Sequence, residues 1–200
     1  MIVLESLLFV CDAERMLKSK APKQSPRQRI AQAASRAFNR CGIDGIGIAD
    51  IMKEAGLTQG AFSWHFDSKE ELIREALDVS FHASLLEDPD WKDRPLEEIF
   101  RRYVTRGVQD CCPATTLTSE IARRPRATRA KFNAHLSGIL DGTAERLPAK
   151  MTSEERKTAA MAIFAMLVGA VQLSRVTKGT QMSKALLEAA LTSANKLMKK

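Results

Sequence analysis

Residues Gly42 to Leu72 read GIDGIGIADIMKEAGLTQGAFSWHFDSKEEL, and this segment carries the most informative pattern of the chain. The apolar spacing from Ile48 to Ala55 predicts a short helix, and Gly56 ends it because glycine commonly follows the last helical residue. Thr58 is placed to cap a second short helix that runs to about Phe66. Two short helices joined at a glycine turn predict a helix-turn-helix.

The second of these helices presents small and polar residues of the kind that enter a DNA major groove. Glutamine pairs with adenine through two hydrogen bonds, and threonine offers a methyl group to thymine or a hydroxyl to phosphate. Glycine allows the backbone to approach DNA closely. Interpretations without DNA binding stay open here, because such helix pairs also occur as plain packing units and Thr58 is also suited to a capping role alone. The candidate DNA contacts are Thr58, Gln59, Gly60, Ser63 and Trp64.

The charge of the chain favours a polyanionic partner. The net charge is +7 and the isoelectric point is about 9.4. Eight basic residues and no acidic one lie between Arg15 and Arg40, shortly before the helix-turn-helix. A one-signed run in that place is typical of nucleic-acid binding. A second basic cluster is interpreted as a solvated face, since charge runs on helices usually point to water, with binding of an anionic ligand or DNA as the alternative. It consists of Arg123, Arg124, Arg126, Arg129 and Lys131.

Working outward from this segment, the sequence predicts helices on both sides and no strand. Upstream, an apolar face from Ile30 to Cys41 predicts a first helix. Downstream, Ser68 caps a long connecting helix that ends near Glu87, and the turn at residues 88–90 marks a domain boundary. Further helices are predicted over Pro95 to Cys112, Leu117 to Arg123, Pro125 to Leu147, Thr152 to Thr177 and Gln181 to Met198.

The helix predicted over Thr152 to Thr177 carries no charge from Thr158 to Ser174 and is apolar almost all round. One subunit of this size easily covers only one side of such a helix. The pattern therefore predicts a homodimer built on this helix and the last one. The predicted contact face runs through Phe164, Leu167, Val168 and Val171.

Several other functional classes lack their signatures. No nucleophile-base pair, phosphate-binding glycine loop or pair of carboxylates occurs at a usable spacing, so an enzyme is not expected. The four cysteines form no CxxC pair and the three histidines lie at no ligand spacing from them, so no metal and no cofactor are expected. Cys111 and Cys112 are interpreted as reduced, buried thiols of a cytoplasmic protein, with a redox-sensing pair as the alternative.

The N-terminus reads MIVLESLLFVC, which resembles the apolar core of a signal peptide but lacks its basic start and its cleavage site. The apolar run is too short to cross a bilayer, so no membrane partner is expected. Residues 1–22 are interpreted as an extension of the fold. It is either a helical arm or the product of an upstream start codon, with Met16 as the alternative start.

The segment from Gly42 to Leu72 closely resembles the DNA-binding signature of the tetracycline repressor (TetR/AcrR) family, which includes multidrug-efflux repressors. A later stretch, DCCPATTLTSEIARRPRATRAKF from Asp110 to Phe132, resembles the ligand-domain pattern of one branch of that family. The resemblance extends over most of residues 26–198.

The resemblance implies an all-α subunit in which a three-helix DNA-binding domain over residues 23–67 precedes a six-helix ligand-binding and dimerisation domain over residues 68–200. It also implies DNA contacts at Thr58, Gln59 and Gly60, at Trp64 and His65, and at Lys69, whose counterpart in the family commonly touches phosphate. At two positions the chain departs from the family.

Those two departures are Ser63, where the family usually has Tyr, and Gly47, where it usually has Ser or Thr. Both lost hydroxyls commonly meet phosphates in the family. The basic arm from Lys18 to Arg29 is a candidate for replacing these contacts by following the DNA backbone.

The function predicted from all of this is a repressor that binds a palindromic operator as a homodimer and is released by a small, largely apolar ligand. The alternative is a helical dimeric ligand-binding or interaction protein without operator binding. Aromatic residues of the second domain are candidate pocket walls, although such spacing also suits a plain core. They are Phe81, Trp91, Phe100, Tyr103, Phe132, His135 and Phe164.

Overall fold

A computed structural model describes residues 24–83, 93–107 and 112–199 of the chain. The predicted N-terminal extension, the turn at residues 88–90, Trp91 and Cys111 lie outside these ranges. Within them the chain is entirely helical, which confirms the predicted fold class. The α-helices are α1 (Pro26–Cys41), α2 (Ile48–Glu54), α3 (Lys69–His82), α4 (Leu96–Gly107), α5 (Pro113–Thr116), α6 (Thr118–Ile121), α7 (Arg126–Glu145), α8 (Ser153–Val176) and α9 (Gln181–Met198), and a 3₁₀ helix covers Gln59–Trp64.

The first three helical elements, α1, α2 and the 3₁₀ helix, form a small domain that we call the reading head. Helix α1 begins with a capping box, in which the Ser25 hydroxyl accepts the Gln28 N–H at 3.2 Å and the Gln28 side chain accepts the Ser25 N–H at 3.0 Å. The core of the head is formed by side chains that are almost completely buried. They include Ile30, Phe38, Ile43, Ile51, Met52 and Phe66.

The second helix of the helix-turn-helix differs from its prediction in two details. It is a single 3₁₀ segment that ends at Trp64, and Thr58 makes no side-chain capping bond. The Thr58 carbonyl instead accepts the Ala61 N–H at 3.1 Å, so the backbone alone starts the helix. Short 3₁₀ pieces are common as connectors between helices.

Helix α3 connects the reading head to the rest of the chain. Its cap is the predicted one, because the Ser68 hydroxyl accepts the Glu71 N–H at 3.1 Å. Leu72, Ile73 and Leu77 are buried, and α3 packs on α1 on one side and on α7 on another. The predicted end of this helix near Glu87 lies outside the described residues.

The segment predicted as one helix from Leu117 to Arg123 holds only the one-turn helix α6, and a second one-turn helix, α5, precedes it where no helix had been predicted. The hydroxyl of Thr115 donates to the Cys112 carbonyl at 2.8 Å, and that of Thr118 donates to the Ala114 carbonyl at 2.7 Å. Such local side-chain bonds to the backbone compete with regular helix. The described ranges therefore hold seven α-helices after the reading head, where six had been predicted.

Helix α8 runs through the second domain and packs on α7 and α9. Its predicted dimer face is wrong in part, because Leu167 and Val171 are buried inside the subunit. The large apolar residues of α8 that are exposed are Met161, Leu173 and Val176, at 51%, 55% and 87% exposure. By length and composition this is also a helix that could span a membrane, a test that core helices of soluble proteins also pass.

Candidate nucleic-acid interface

The 3₁₀ helix presents its polar residues to solvent. Gln59, Gly60 and Ser63 are exposed and line one shallow groove of about 430 Å³ together with Ile48 and Phe62. The Phe62 ring stacks on the buried Phe66 ring with a centroid distance of 5.7 Å. This stack fixes the helix on the head, so that its polar face points outward.

Two further predicted contacts lie at the ends of this helix, and a third follows it. Thr58 is exposed at the start, and Trp64 is 86% exposed at the end. An exposed tryptophan offers a large flat surface to a partner. His65 is half-buried, and its carbonyl accepts a hydrogen bond from Arg27.

Lys69 lies at the start of α3, as the resemblance implies. Its Nζ donates hydrogen bonds to the carbonyls of Ile43 and Ile46, each at 2.8 Å. The lysine thus holds the loop between α1 and α2. A lysine ammonium has three donors, and these two bonds use two of them. A phosphate contact by Lys69 stays a prediction.

The basic arm proposed from Lys18 to Arg29 is described only at its end, where its arginines serve the protein itself. Arg27 donates to Glu71 at 2.8 Å and to Glu75 at 2.5 Å, and its guanidinium lies 4.2 Å from the centre of the Phe66 ring. The hydrogen bonds from these two carboxylates raise the Arg27 pKa. Arg29 donates to the Ala55 carbonyl at 2.5 Å. Arg27 therefore holds α1 on α3, and Arg29 holds α1 on the end of α2.

The two departures from the family pattern both lie at exposed positions. Gly47 occupies the N-cap of α2 and provides no side-chain bond. A Cβ added at Gly47 would meet only Asp50 Oδ2, at 3.6 Å, which is ordinary contact. The site therefore has room for the Ser or Thr that the family usually carries. Ser63 borders the groove described above.

The second basic cluster is not simply a solvated face, which corrects its interpretation from the sequence. Arg124 is only 17% exposed and pairs with Asp44 and with Glu70, the latter at 3.2 Å. Lys131 pairs with Asp78 at 2.8 Å. The remaining members, Arg123, Arg126 and Arg129, are exposed. Two of the five basic residues thus connect different parts of the chain.

The candidate pocket residues fall into two aromatic groups. Between α3 and α7, Phe81 packs edge-on against Phe132 at 5.3 Å and stacks on His135 at 4.7 Å between ring centroids. Between α4 and α8, the Tyr103 and Phe164 centroids lie 6.4 Å apart, and the Tyr103 hydroxyl is buried. Phe100 is buried. Whether these groups bind an effector stays a prediction.

The cysteines and histidines of the described residues form no cluster that could hold a metal. Cys41 is exposed and Cys112 is buried, and both are free thiols. Burial raises the pKa of Cys112. A protonated thiol is a poor nucleophile, so this environment favours the inert interpretation of Cys112 over the redox-sensing one.

Comparison with known proteins places this geometry in a family. Residues 30–76 match the family described as bacterial regulatory proteins, tetR family. The chain is 29% identical over 177 residues to the HTH-type transcriptional regulator TtgR of Pseudomonas putida, covering 78% of this chain and 82% of that protein. It is 27% identical over 93 residues to the probable acrEF/envCD operon repressor of Escherichia coli, covering 46% of this chain and 36% of that protein.

The fold agrees with these sequence matches. The crystal structure of a TetR-family transcriptional regulator from Cytophaga hutchinsonii superposes with a TM-score of 0.70 at 19% identity and covers 89% of this chain and 97% of that one. The family match lies on the reading head and the start of α3, where the exposed polar residues are. Residues 30–76 thus carry the DNA-binding helix-turn-helix of the TetR family of bacterial regulatory proteins, and the fold of the whole chain is similar to that of TetR-family regulators.

Proposed function

We propose that this protein is a cytoplasmic repressor that binds a palindromic operator as a homodimer and leaves it when a small, largely apolar ligand binds the second domain. The observation that supports this most directly is the exposed polar row of Gln59, Gly60 and Ser63 on a helix anchored to a packed head. The relative in Escherichia coli whose name contains "operon repressor" supports the direction of regulation.

DNA recognition in this proposal divides between two kinds of contact. Gln59 reads a base edge, for which the amide suits adenine, and Gly60 lets the backbone approach the groove. Five further residues lie on or around the 3₁₀ helix and position it against the sugar-phosphate backbone. They are Thr58, Ser63, Trp64, His65 and Lys69. Base contacts set specificity, and backbone contacts set register and orientation.

The dimer in this proposal uses the exposed apolar side chains of the last two helices. Met161, Leu173 and Val176 on α8 and Met182 on α9 are each more than half exposed. Apolar residues of that size on adjacent helices favour association through a two-fold contact. Two reading heads on one dimer match two half-sites of a palindrome.

Release by ligand follows from linkage. The ligand binds more tightly to a conformation of the dimer in which the spacing of the two heads does not fit the operator. Ligand binding therefore weakens operator binding by the coupling free energy, typically about 1 to 3 kcal/mol or roughly 5- to 150-fold. The operator weakens ligand binding by the same factor. Ligands that bind saturably but never change operator affinity would contradict this part of the proposal.

The experiment that tests operator binding is selection of duplexes from a random-sequence library by the purified wild-type protein. We expect an inverted repeat to be enriched. Enrichment of no sequence would favour the alternative, a dimeric protein without operator binding. The selected duplex then serves for measuring the affinity of variants.

Gly60→Ala tests close approach to DNA with little effect on the fold. An added Cβ at Gly60 has no neighbour within 4 Å, so the free protein should fold normally. We expect operator affinity to fall about tenfold or more, equivalent to about 1.4 kcal/mol. Gly138→Ala on α7 is the matched control, since its Cβ is equally unobstructed. Equal operator affinities of the two variants would show that Gly60 does not lie at the DNA interface.

A further inference from the structure

The loop between α1 and α2, residues 42–47, is held by a carboxylate from the second domain. Glu120, in α6, accepts hydrogen bonds from the N–H groups of Ile43 at 2.8 Å and Asp44 at 3.1 Å. The carbonyls of the same loop are held by Lys69 from α3. The loop is therefore bound through its N–H groups to α6 and through its carbonyl groups to α3.

The Glu120 carboxylate approaches this loop closely at a glycine. Gly42 has a φ of +78°, a conformation that other residues rarely adopt. A Cβ at Gly42 would lie 2.7 Å from Glu120 Oε1. The loop thus makes room for the Glu120 carboxylate.

Arg124 adds a second connection at the same place. It pairs with Asp44 of the loop and, at 3.2 Å, with Glu70 of α3. Thr128, at the start of α7, donates to Glu70 at 2.7 Å. The Arg124 and Glu70 side chains are only 17% and 29% exposed, so water screens this pair less than it would on an open surface, whereas the Asp44 carboxylate is largely exposed.

Without these connections, the head and α3 would be attached to the second domain mainly at the far end of α3, where Thr116 of α5 also donates to Asn39 of α1 at 2.8 Å, beside Ser80. There Phe81 packs on Phe132, and Asp78 pairs with Lys131 and His135. An arm attached at one end is free to tilt, whereas a second attachment at its other end fixes its direction. Glu120 and Arg124, together with the Thr128–Glu70 hydrogen bond, supply that second attachment.

We propose that Glu120 and Arg124 are positioning residues, which fix the direction of the reading head on the second domain and thereby set the spacing of the two heads in the dimer. The inference rests on the proposed dimeric repressor. It names α6 as a direct route by which the second domain acts on the head, in addition to the covalent connection through α3.

The test measures the affinity of the wild type and of variants for operators in which the spacing of the half-sites is altered. The duplex selected by the wild type is remade with one base pair inserted or removed between its half-sites. The wild type should prefer the original spacing. We expect this preference to shrink by about 5-fold or more in Glu120→Ala and in Arg124→Gln, since a head that tilts reaches either spacing.

Two controls distinguish positioning from a general defect. Ser119→Ala removes an exposed side chain beside Glu120, and Arg126→Gln removes the same charge as Arg124→Gln at an exposed position. Both should keep the wild-type preference. A variant at Glu120 or Arg124 that loses affinity equally for all spacings, or keeps the wild-type preference, would overturn the proposal, because a damaged head lowers every affinity alike.

A measurement without DNA keeps the inference separate from the proposed function. Spin labels at Lys53→Cys on α2 and Asn133→Cys on α7 are placed in a protein whose four cysteines are replaced by alanine. Dilution with unlabelled subunits leaves only the distance within one subunit. Glu120→Ala should broaden that distance distribution. An unchanged distance distribution would overturn the inference, even if the wild type binds an operator. If the wild type selects no duplex, that result would count against the proposed function instead.

Discussion

Gln59 and Ser63 border the same groove of the reading head but should affect DNA binding in different ways. Gln59→Ala should lose about 1 to 3 kcal/mol on the selected operator alone, because a base-edge contact specifies sequence. Ser63→Tyr should gain about 0.5 to 1.5 kcal/mol per half-site on operator and scrambled DNA alike, because its hydroxyl would reach a phosphate. Titrations of both variants at one fixed salt concentration measure this. Equal losses on both DNAs would exclude Gln59 as a reader, and no gain from Ser63→Tyr would exclude the phosphate contact.

At the scale of elements, the attachment of α3 to α7 depends on Asp78. Burial acts to raise the Asp78 pKa, but hydrogen bonds from Lys131 and His135 and their charges outweigh it, so the pKa is lowered. A lowered folded-state pKa contributes stability that is present above the unfolded value of about 4 and is lost as the pH falls through the folded value. Asp78→Asn should therefore lower the free energy of unfolding by roughly 1 kcal/mol at pH 7, a value that allows for the partial exposure of Asp78. The loss should become progressively smaller below about pH 4.

Urea unfolding of wild type and Asp78→Asn between pH 7 and pH 3 measures this difference. Asp141→Asn, an exposed carboxylate on α7, is the control and should leave stability nearly unchanged. A difference between wild type and Asp78→Asn that stays constant down to pH 3 would show that the ion pairs do not carry the effect.

At the scale of the whole molecule, the buried position of Val171 changes the residue to be tested in the dimer. A charge at Val171 would disrupt the subunit itself, whereas Leu173 is 55% exposed on the same helix. Leu173→Asp should raise the dimer dissociation constant at least tenfold, since burying a leucine stabilises by about 1.5 to 3 kcal/mol and tenfold needs about 1.4.

Sedimentation at micromolar concentrations compares Leu173→Asp with Asn133→Asp, which places the same charge at an exposed position of α7. The Asn133 variant should sediment like the wild type. A monomeric wild type, or a dimer that neither Leu173→Asp nor Met161→Asp weakens, would contradict the proposed interface.

The sequence by itself determined the helical class, the helix-turn-helix and the residues exposed on its second helix. These features depend on neighbours within a few positions: apolar residues three or four apart, a cap at Ser68, and glycines that end helices. The exposed polar row of the 3₁₀ helix follows from the same local pattern, because Phe62 and Phe66 turn inward and leave Gln59 and Ser63 outside.

Only the tertiary structure decided which partners the charged residues take and which side of α8 faces inward. Arg124 and Asp44 are 80 positions apart, and Arg27 and Glu75 are 48 apart. No local periodicity predicts such pairs, because they form only when packing brings distant elements together. The helix α8 is apolar almost all round, so its sequence left the buried side undecided. The packing of the neighbouring helices of the subunit buries Leu167 and Val171 and leaves Leu173 and Val176 exposed.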